Sequence, residues 1–103
     1  MVSRAEVPAP SLIKMDAEGA EVSILRGAQD ILKNVRPILL IEVHSTNDEV
    51  TNLLERHNYA VHVLASQQSP RYAHWNCRLV AAPRELESFA KLIPRLTDPA
   101  LLG

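Results

Sequence analysis

Cysteine is nearly absent from this sequence of 103 residues, with Cys77 standing alone, which excludes a disulfide within the chain and any cluster of thiolate metal ligands. A reducing compartment is the expected setting. Long apolar runs are also missing. Nothing approaches the roughly 20 residues that a bilayer-spanning helix needs. The opening residues Met1-Val2-Ser3-Arg4-Ala5-Glu6-Val7-Pro8 contain no apolar core of signal-peptide length. The expectation is a soluble, cytoplasmic protein with no membrane partner. Surplus charge of one sign is lacking too: 11 Lys and Arg stand against 12 Asp and Glu, for a formal charge of −1. The basic residues are scattered, so there is no electrostatic footprint for a phosphate backbone, and nucleic acid is excluded as an expected partner. No internal repeat or low-complexity segment is present.

What remains is ordinary globular usage, 47% apolar and 22% charged, in a chain long enough for one small core and too short for two. After a lead-in at 1–11 punctuated by Pro8 and Pro10, Leu12-Ile13-Lys14-Met15-Asp16 reads as a strand that stops at a turn near Gly19. Ile24, Leu25, Ala28, Ile31, Leu32 and Val35 then recur at helical spacing, with Glu18 and Glu21 near the start and Lys33 near the end, as the helix dipole favours. Gly27 inside this helix costs about 1 kcal/mol relative to Ala, which leaves either a bend or a close backbone approach. Pro37 ends the helix. Ile38-Leu39-Leu40-Ile41-Glu42-Val43-His44 follows, an apolar run of the kind that is covered on both faces in a parallel sheet. Ser45, Thr46 or Asn47 caps a second helix carrying Val50, Leu53, Leu54 and His57 at i, i+3, i+4, i+7. Residues 59–65 predict a third strand, 66–76 a polar loop, and 77–82 a fourth strand. Pro83 is expected to open a last helix with Leu86, Phe89, Ala90 and Ile93 on one face and Pro94 as its stop. Residues 95–103 read as a frayed tail. Strand and helix alternate, which predicts an α/β domain over 12–94 built on parallel strands.

Leu12-Ile13-Lys14-Met15-Asp16-Ala17-Glu18-Gly19-Ala20-Glu21 followed by Ile24-Leu25-Arg26-Gly27-Ala28 closely resembles the "IKIDVEGAE…vLrGa" segment of FkbM-family methyltransferases. Arg36-Pro37-Ile38-Leu39-Leu40-Ile41-Glu42-Val43-His44 is similar to the family's "rPvlliEvh" strand. More weakly, Asn76 to Pro83 resembles its closing strand. The resemblance implies the C-terminal part of a Rossmann-like class I methyltransferase fold, with parallel strands, an antiparallel last strand and flanking helices. The present strands would be the fourth to seventh of a seven-stranded sheet. It also implies S-adenosylmethionine as donor and an oxygen acceptor. The donor is normally held by a Gly-rich turn, yet this sequence has only Gly19, Gly27 and Gly103 and no Gly-x-Gly. The half expected to hold the donor is therefore not in these residues.

Ligands of open α/β sheets sit beyond the carboxyl ends of the strands, which predicts that Asp16, Glu18, Glu42 and His44 share a rim. Methyl transfer to a hydroxyl needs positioning and a base for the acceptor proton. Asp16, Glu42 and His44 are the catalytic candidates. For Asp16 the alternative is a turn and helix-capping carboxylate, placed behind the functional role, and for Glu18 a first-turn acid favoured by the helix dipole, placed ahead of it. His44 is as readily a plain strand-end residue. The same three groups offer oxygen and imidazole ligands to a divalent ion, although their spacing does not demand one. Arg71, Tyr72, His74 and Trp75, with Glu18, are candidates for lining a small-molecule hydroxyl-acceptor pocket. A solvated loop with one anchoring aromatic is the plainer alternative for those four. His57 and His62 receive no role, and Cys77 is expected as a small buried hydrophobe.

Two functions follow. One is the acceptor-side half of an O-methyltransferase that needs its N-terminal half for activity. The other is a non-enzymatic remnant or assembly module that pairs through the exposed edge of its first strand. Both expect an isolated chain that is catalytically silent, only marginally stable, and dimeric or prone to aggregate.

Overall fold

The computed structural model describes residues 12–16 and 18–101; the lead-in at 1–11 lies outside the described residues. Strand β1 (Leu12–Asp16) lies parallel to β2 (Ile38–His44), with Asp16 opposite Glu42. Strand β4 (Asn76–Pro83) runs antiparallel between β2 and β3 (Tyr59–Val63), so the sheet order is β1-β2-β4-β3. The three strands β1, β2 and β3 therefore point the same way, and their carboxyl ends form one rim. Helices α1 (Glu21–Gly27), α2 (Gln29–Asn34) and α3 (Asn47–Arg56) make the crossovers.

Side chains alternate across a strand, and this sorts β2 cleanly. Leu39, Ile41 and Val43 are buried, whereas Ile38, Leu40, Glu42 and His44 are half-buried. The buried set joins Leu79 and Ala81 of β4, Tyr59 and Val63 of β3, Leu25 of α1, Leu32 of α2, and Val50, Leu53 and Leu54 of α3 in one core. Each fully buried aliphatic side chain contributes about 1.5–3 kcal/mol. The expectation that β2 is covered on both faces is thus corrected for the described residues: one face is packed, and the other is only partly screened. Apolar content alone does not distinguish a strand with two covered faces from one whose second face is half open.

Other departures have local causes. The predicted single helix breaks at Ala28, whose φ and ψ of −104° and 19° are not helical. A Cβ on Gly27 would meet nothing within 4 Å, so of the two readings of that glycine the bend is the one realised. Leu25 and Leu32 are buried, but Ile24, Ile31 and Val35 are exposed, which leaves half of the apolar stripe outside the core. Pro83 ends β4 rather than opening a helix, since a strand end tolerates the missing N–H. Helix α4 (Glu87–Ala90) starts later. Pro94 does not stop a helix: it lies in the first turn of α5 (Ile93–Leu96), where its fixed φ suits the start. Within the expected frayed tail, Leu96 accepts a hydrogen bond from the Ala65 N–H at 2.6 Å and Pro99–Leu101 forms a helical turn; residues 102 and 103 lie outside the described residues.

At the amino ends of the parallel strands one arginine closes the molecule. Arg36 donates to the Leu32, His57 and Asn58 carbonyls and grips Glu85 through a two-pronged contact with both bonds at 2.9 Å. All five guanidinium donors are therefore engaged. Its guanidinium also lies 4.9 Å from the centre of the Tyr59 ring. The Tyr59 hydroxyl donates to the Pro37 carbonyl at 2.7 Å, and burial pushes its pKa up to about 12.

Candidate functional site

The opposite end of the sheet is built differently. Asp16 is the last residue of β1, and Glu42 sits beside it on β2. Two residues on, and so on the same face, His44 closes β2. One ligand atom from each of Asp16, Glu42 and His44 can be chosen so that all lie within 4.8 Å of one another. The His44 Nε2 is 3.9 Å from Asp16 Oδ1. Asp16 is exposed, and Glu42 and His44 are half-buried, so the group faces a solvent-accessible rim. A cleft of about 300 Å³ lined by Glu42, Leu64, Asn76, Cys77 and Arg78 opens next to it.

Beneath this group lies Glu21, fully buried at 0% exposure. Its carboxylate accepts from the Gly19 N–H at 2.7 Å, the Thr46 hydroxyl at 2.8 Å and the His44 N–H at 3.4 Å, and it meets His44 Nδ1 at 3.2 Å. Burial by itself raises the Glu21 pKa. The hydrogen bonds from Gly19, Thr46 and His44 outweigh that effect and hold it below the usual carboxylate range. One side chain thus ties the turn after β1, the end of β2 and the start of α3 together.

The sequence reading gave Glu21 only a helix-dipole role and missed its function as an anchor. A signal was available: Glu21, Leu25, Ala28 and Leu32 are spaced i, i+4, i+7, i+11, which puts the carboxylate on the buried stripe. Glu18, by contrast, is exposed in the turn with φ of 48°, and the first-turn acid of α1 is Glu21. The reading of Glu18 as that acid is corrected accordingly. The expected cap of the next helix is revised in the same way. Thr46 is the cap residue of α3 but makes no side-chain cap bond, because its hydroxyl serves Glu21.

The 66–76 loop does emerge at this rim. Trp75 accepts a hydrogen bond through its carbonyl from the Ser45 N–H at 2.7 Å, and the Asn47 amide donates to the Pro70 and His74 carbonyls at 3.1 Å each. Trp75 is 57% exposed and its ring lies 5.5 Å from that of His74. Those two aromatic side chains stand at the rim. Arg71 is held against α3 by Glu55 at 2.8 Å and Asp48 at 4.0 Å and lines one open cavity with Ser45, Asn47 and Trp75, whereas Tyr72 projects outward at 82% exposure. Cys77 is half-buried rather than buried. Burial pushes its thiol pKa up, which keeps it in the unreactive protonated form. Burial likewise lowers the pKa of His62.

Residues 2–65 match the Methyltransferase FkbM domain, and the chain belongs to that family. The chain is also similar to the hexuronic acid methyltransferase AglP of Haloferax volcanii, at 38% identity over 56 residues. That alignment covers 52% of this chain and 23% of the relative, so the chain spans about a quarter of the curated relative it matches. No solved structure matches it. The family match contains Asp16, Glu21, Glu42 and His44 and stops short of β4. No described helix is long and apolar enough to cross a membrane.

Proposed function

We propose that these residues form the acceptor-side half of an S-adenosylmethionine-dependent O-methyltransferase with a Rossmann-like class I fold. The observation that carries this reading is the meeting of Asp16, Glu42 and His44 at the carboxyl rim of two parallel strands, in a chain of the FkbM family. The antiparallel β4 beside parallel strands supports the fold assignment. In this reading the rim holds an acceptor hydroxyl and supplies the base for its proton, and His74 and Trp75 flank the entering molecule. The relative that acts on a hexuronic acid makes an acidic sugar the first acceptor to try.

The residues present do not fit the methyl donor. Gly19 follows β1, but it is the lone glycine of its turn and a Cβ there would meet nothing within 4 Å. No phosphate- or nucleoside-cradling loop occurs among the described residues. Calorimetric titration of the purified chain with S-adenosylmethionine, with and without Mg²⁺, tests the reading. No saturable heat is expected, and methyl transfer to a hexuronic acid should emerge only when a donor-binding half is supplied. Saturable binding by the chain alone would overturn the half-enzyme assignment.

One observation favours a second reading, an assembly module. Among the described residues β1 is hydrogen-bonded to a strand on one side only, and Leu12 is 66% exposed. An open edge of this kind is a template for strand pairing. Light scattering separates the two: a dimer dissociated by Lys14→Pro supports edge pairing, and a monomer removes it.

A further inference from the structure

We infer that Asp16, Glu42 and the Nε2 atom of His44 form a binding site for one divalent transition-metal ion, of the Mn²⁺ or Zn²⁺ kind, and that Glu21 orients the imidazole from beneath. The three donors come from adjacent strands in fixed register, Asp16 facing Glu42 and His44 two residues further along the same face. Their ligand atoms lie within 4.8 Å of one another, so that side-chain shifts of a few tenths of an ångström, on the order of the difference from twice a bond length of about 2.2 Å, would bring all three to a single ion. Two carboxylates directly opposite on neighbouring strands repel each other, and Arg78, which faces Glu42 from β4, makes no ion pair with either of them among the described residues.

The buried side chain beneath the triad points the same way. The Glu21 carboxylate already receives hydrogen bonds from Gly19, Thr46 and the His44 backbone. It is therefore an acceptor toward His44 Nδ1 at 3.2 Å, which places a proton on Nδ1 and turns Nε2 toward Asp16. A carboxylate behind a histidine is the arrangement that fixes tautomer and ring orientation in metal sites and raises the basicity of the ligating nitrogen. Two oxygens and one imidazole suit Mn²⁺ or Zn²⁺ better than Ca²⁺, which prefers all-oxygen shells. Three protein ligands leave positions open. On the reading proposed above, the acceptor hydroxyl would fill one of them and lose its proton more readily there.

Binding of the metal alone tests this without any methyl transfer. Titration of the whole chain with Mn²⁺, followed by paramagnetic resonance and calorimetry, should give one site per chain. Asp16→Asn, Glu42→Gln and His44→Ala should each weaken it at least tenfold. Glu21→Gln should weaken it about 10- to 100-fold, the usual effect of losing such a support, and His57→Asn should leave it unchanged. Circular dichroism of each variant shows whether it is folded. Should Glu21→Gln unfold, the wild-type chain still decides the matter, because a site of this kind raises its melting temperature as Mn²⁺ is added. Absence of binding to the folded wild type, or equal binding by wild type and the three ligand variants, would overturn the site. Failure of the S-adenosylmethionine test would leave this result standing, since the two titrations use different ligands.

Discussion

The two ends of the sheet handle charge in opposite ways. At the amino ends of the parallel strands, Arg36 uses all five donors on three carbonyls and the Glu85 carboxylate, and Tyr59 closes the Pro37 carbonyl. At the carboxyl ends, Asp16 and Glu42 face each other in register, with the His44 imidazole 3.9 Å from Asp16 and Arg78 of β4 opposite Glu42. One end matches each donor to an acceptor, whereas the other gathers acceptors together. Matching is what stability selects, and converging like charges are tolerated where a ligand or a reaction needs them. Glu21 belongs to the second end yet behaves like the first: it is buried and fully hydrogen-bonded, a matched group placed under an unmatched one.

This contrast is sharpest in stability measurements, and Glu21 should show the largest effect. Glu21→Ala leaves the Gly19 N–H, the Thr46 hydroxyl and the His44 imidazole without their acceptor, at a cost of about 3 kcal/mol in denaturant melts. Its acid dependence has a definite sign. The folded pKa of Glu21 is lowered, so its contribution is present above the usual carboxylate range and is lost as pH falls through the folded value. The stability gap between wild type and Glu21→Gln should therefore narrow on acidification below that range. A gap independent of pH would mean that Glu21 is not ionised in the fold.

At the matched end, Arg36→Ala should cost about 2 kcal/mol, since three carbonyls and one partly exposed ion pair lose their partner. Tyr59→Phe removes a single buried hydroxyl and should cost about 1 kcal/mol. Because the folded pKa of Tyr59 is raised to about 12, the stability it confers is complete below the ordinary tyrosine range and is lost as pH rises toward that value. Alkaline melts of wild type and Tyr59→Phe should differ in that window, and curves that stay parallel would contradict a neutral buried phenol.

The two ends also differed in how far the sequence disclosed them. Strands β2, β3 and β4 were legible as apolar runs of five or more residues, and helix α3 by its helical spacing. The rim residues Asp16, Glu42 and His44 were legible because polar side chains ended apolar strands and because the family resemblance fell on them. The insertion of β4 between β2 and β3 was not legible, since strand pairing is decided by contacts between residues far apart in the chain. Pro94 was misread because proline both ends one helix and begins the next. Arg36 gave no sign of its role. Its partners Leu32, His57, Asn58 and Glu85 contribute mostly backbone carbonyls, which carry no sequence signature.

The smallest effect is the one that discriminates best between the ends. If the repulsion between Glu42 and Asp16 outweighs the attraction of Arg78 opposite Glu42, Glu42→Gln relieves it and breaks no hydrogen bond of that side chain among the described residues. In metal-free buffer the variant should lie within about 0.5 kcal/mol of wild type, on the stabilised side. The same neutralisation at the other end, Glu85→Gln, removes the carboxylate that the Arg36 guanidinium holds down at about 2 and should destabilise. A double variant reports both signs in one protein, because the two sites lie at opposite ends of the sheet and their effects should add. Were Glu42→Gln as damaging as Glu85→Gln, Glu42 would be a matched structural carboxylate, and the rim would have to be redrawn around Asp16, His44 and Glu21.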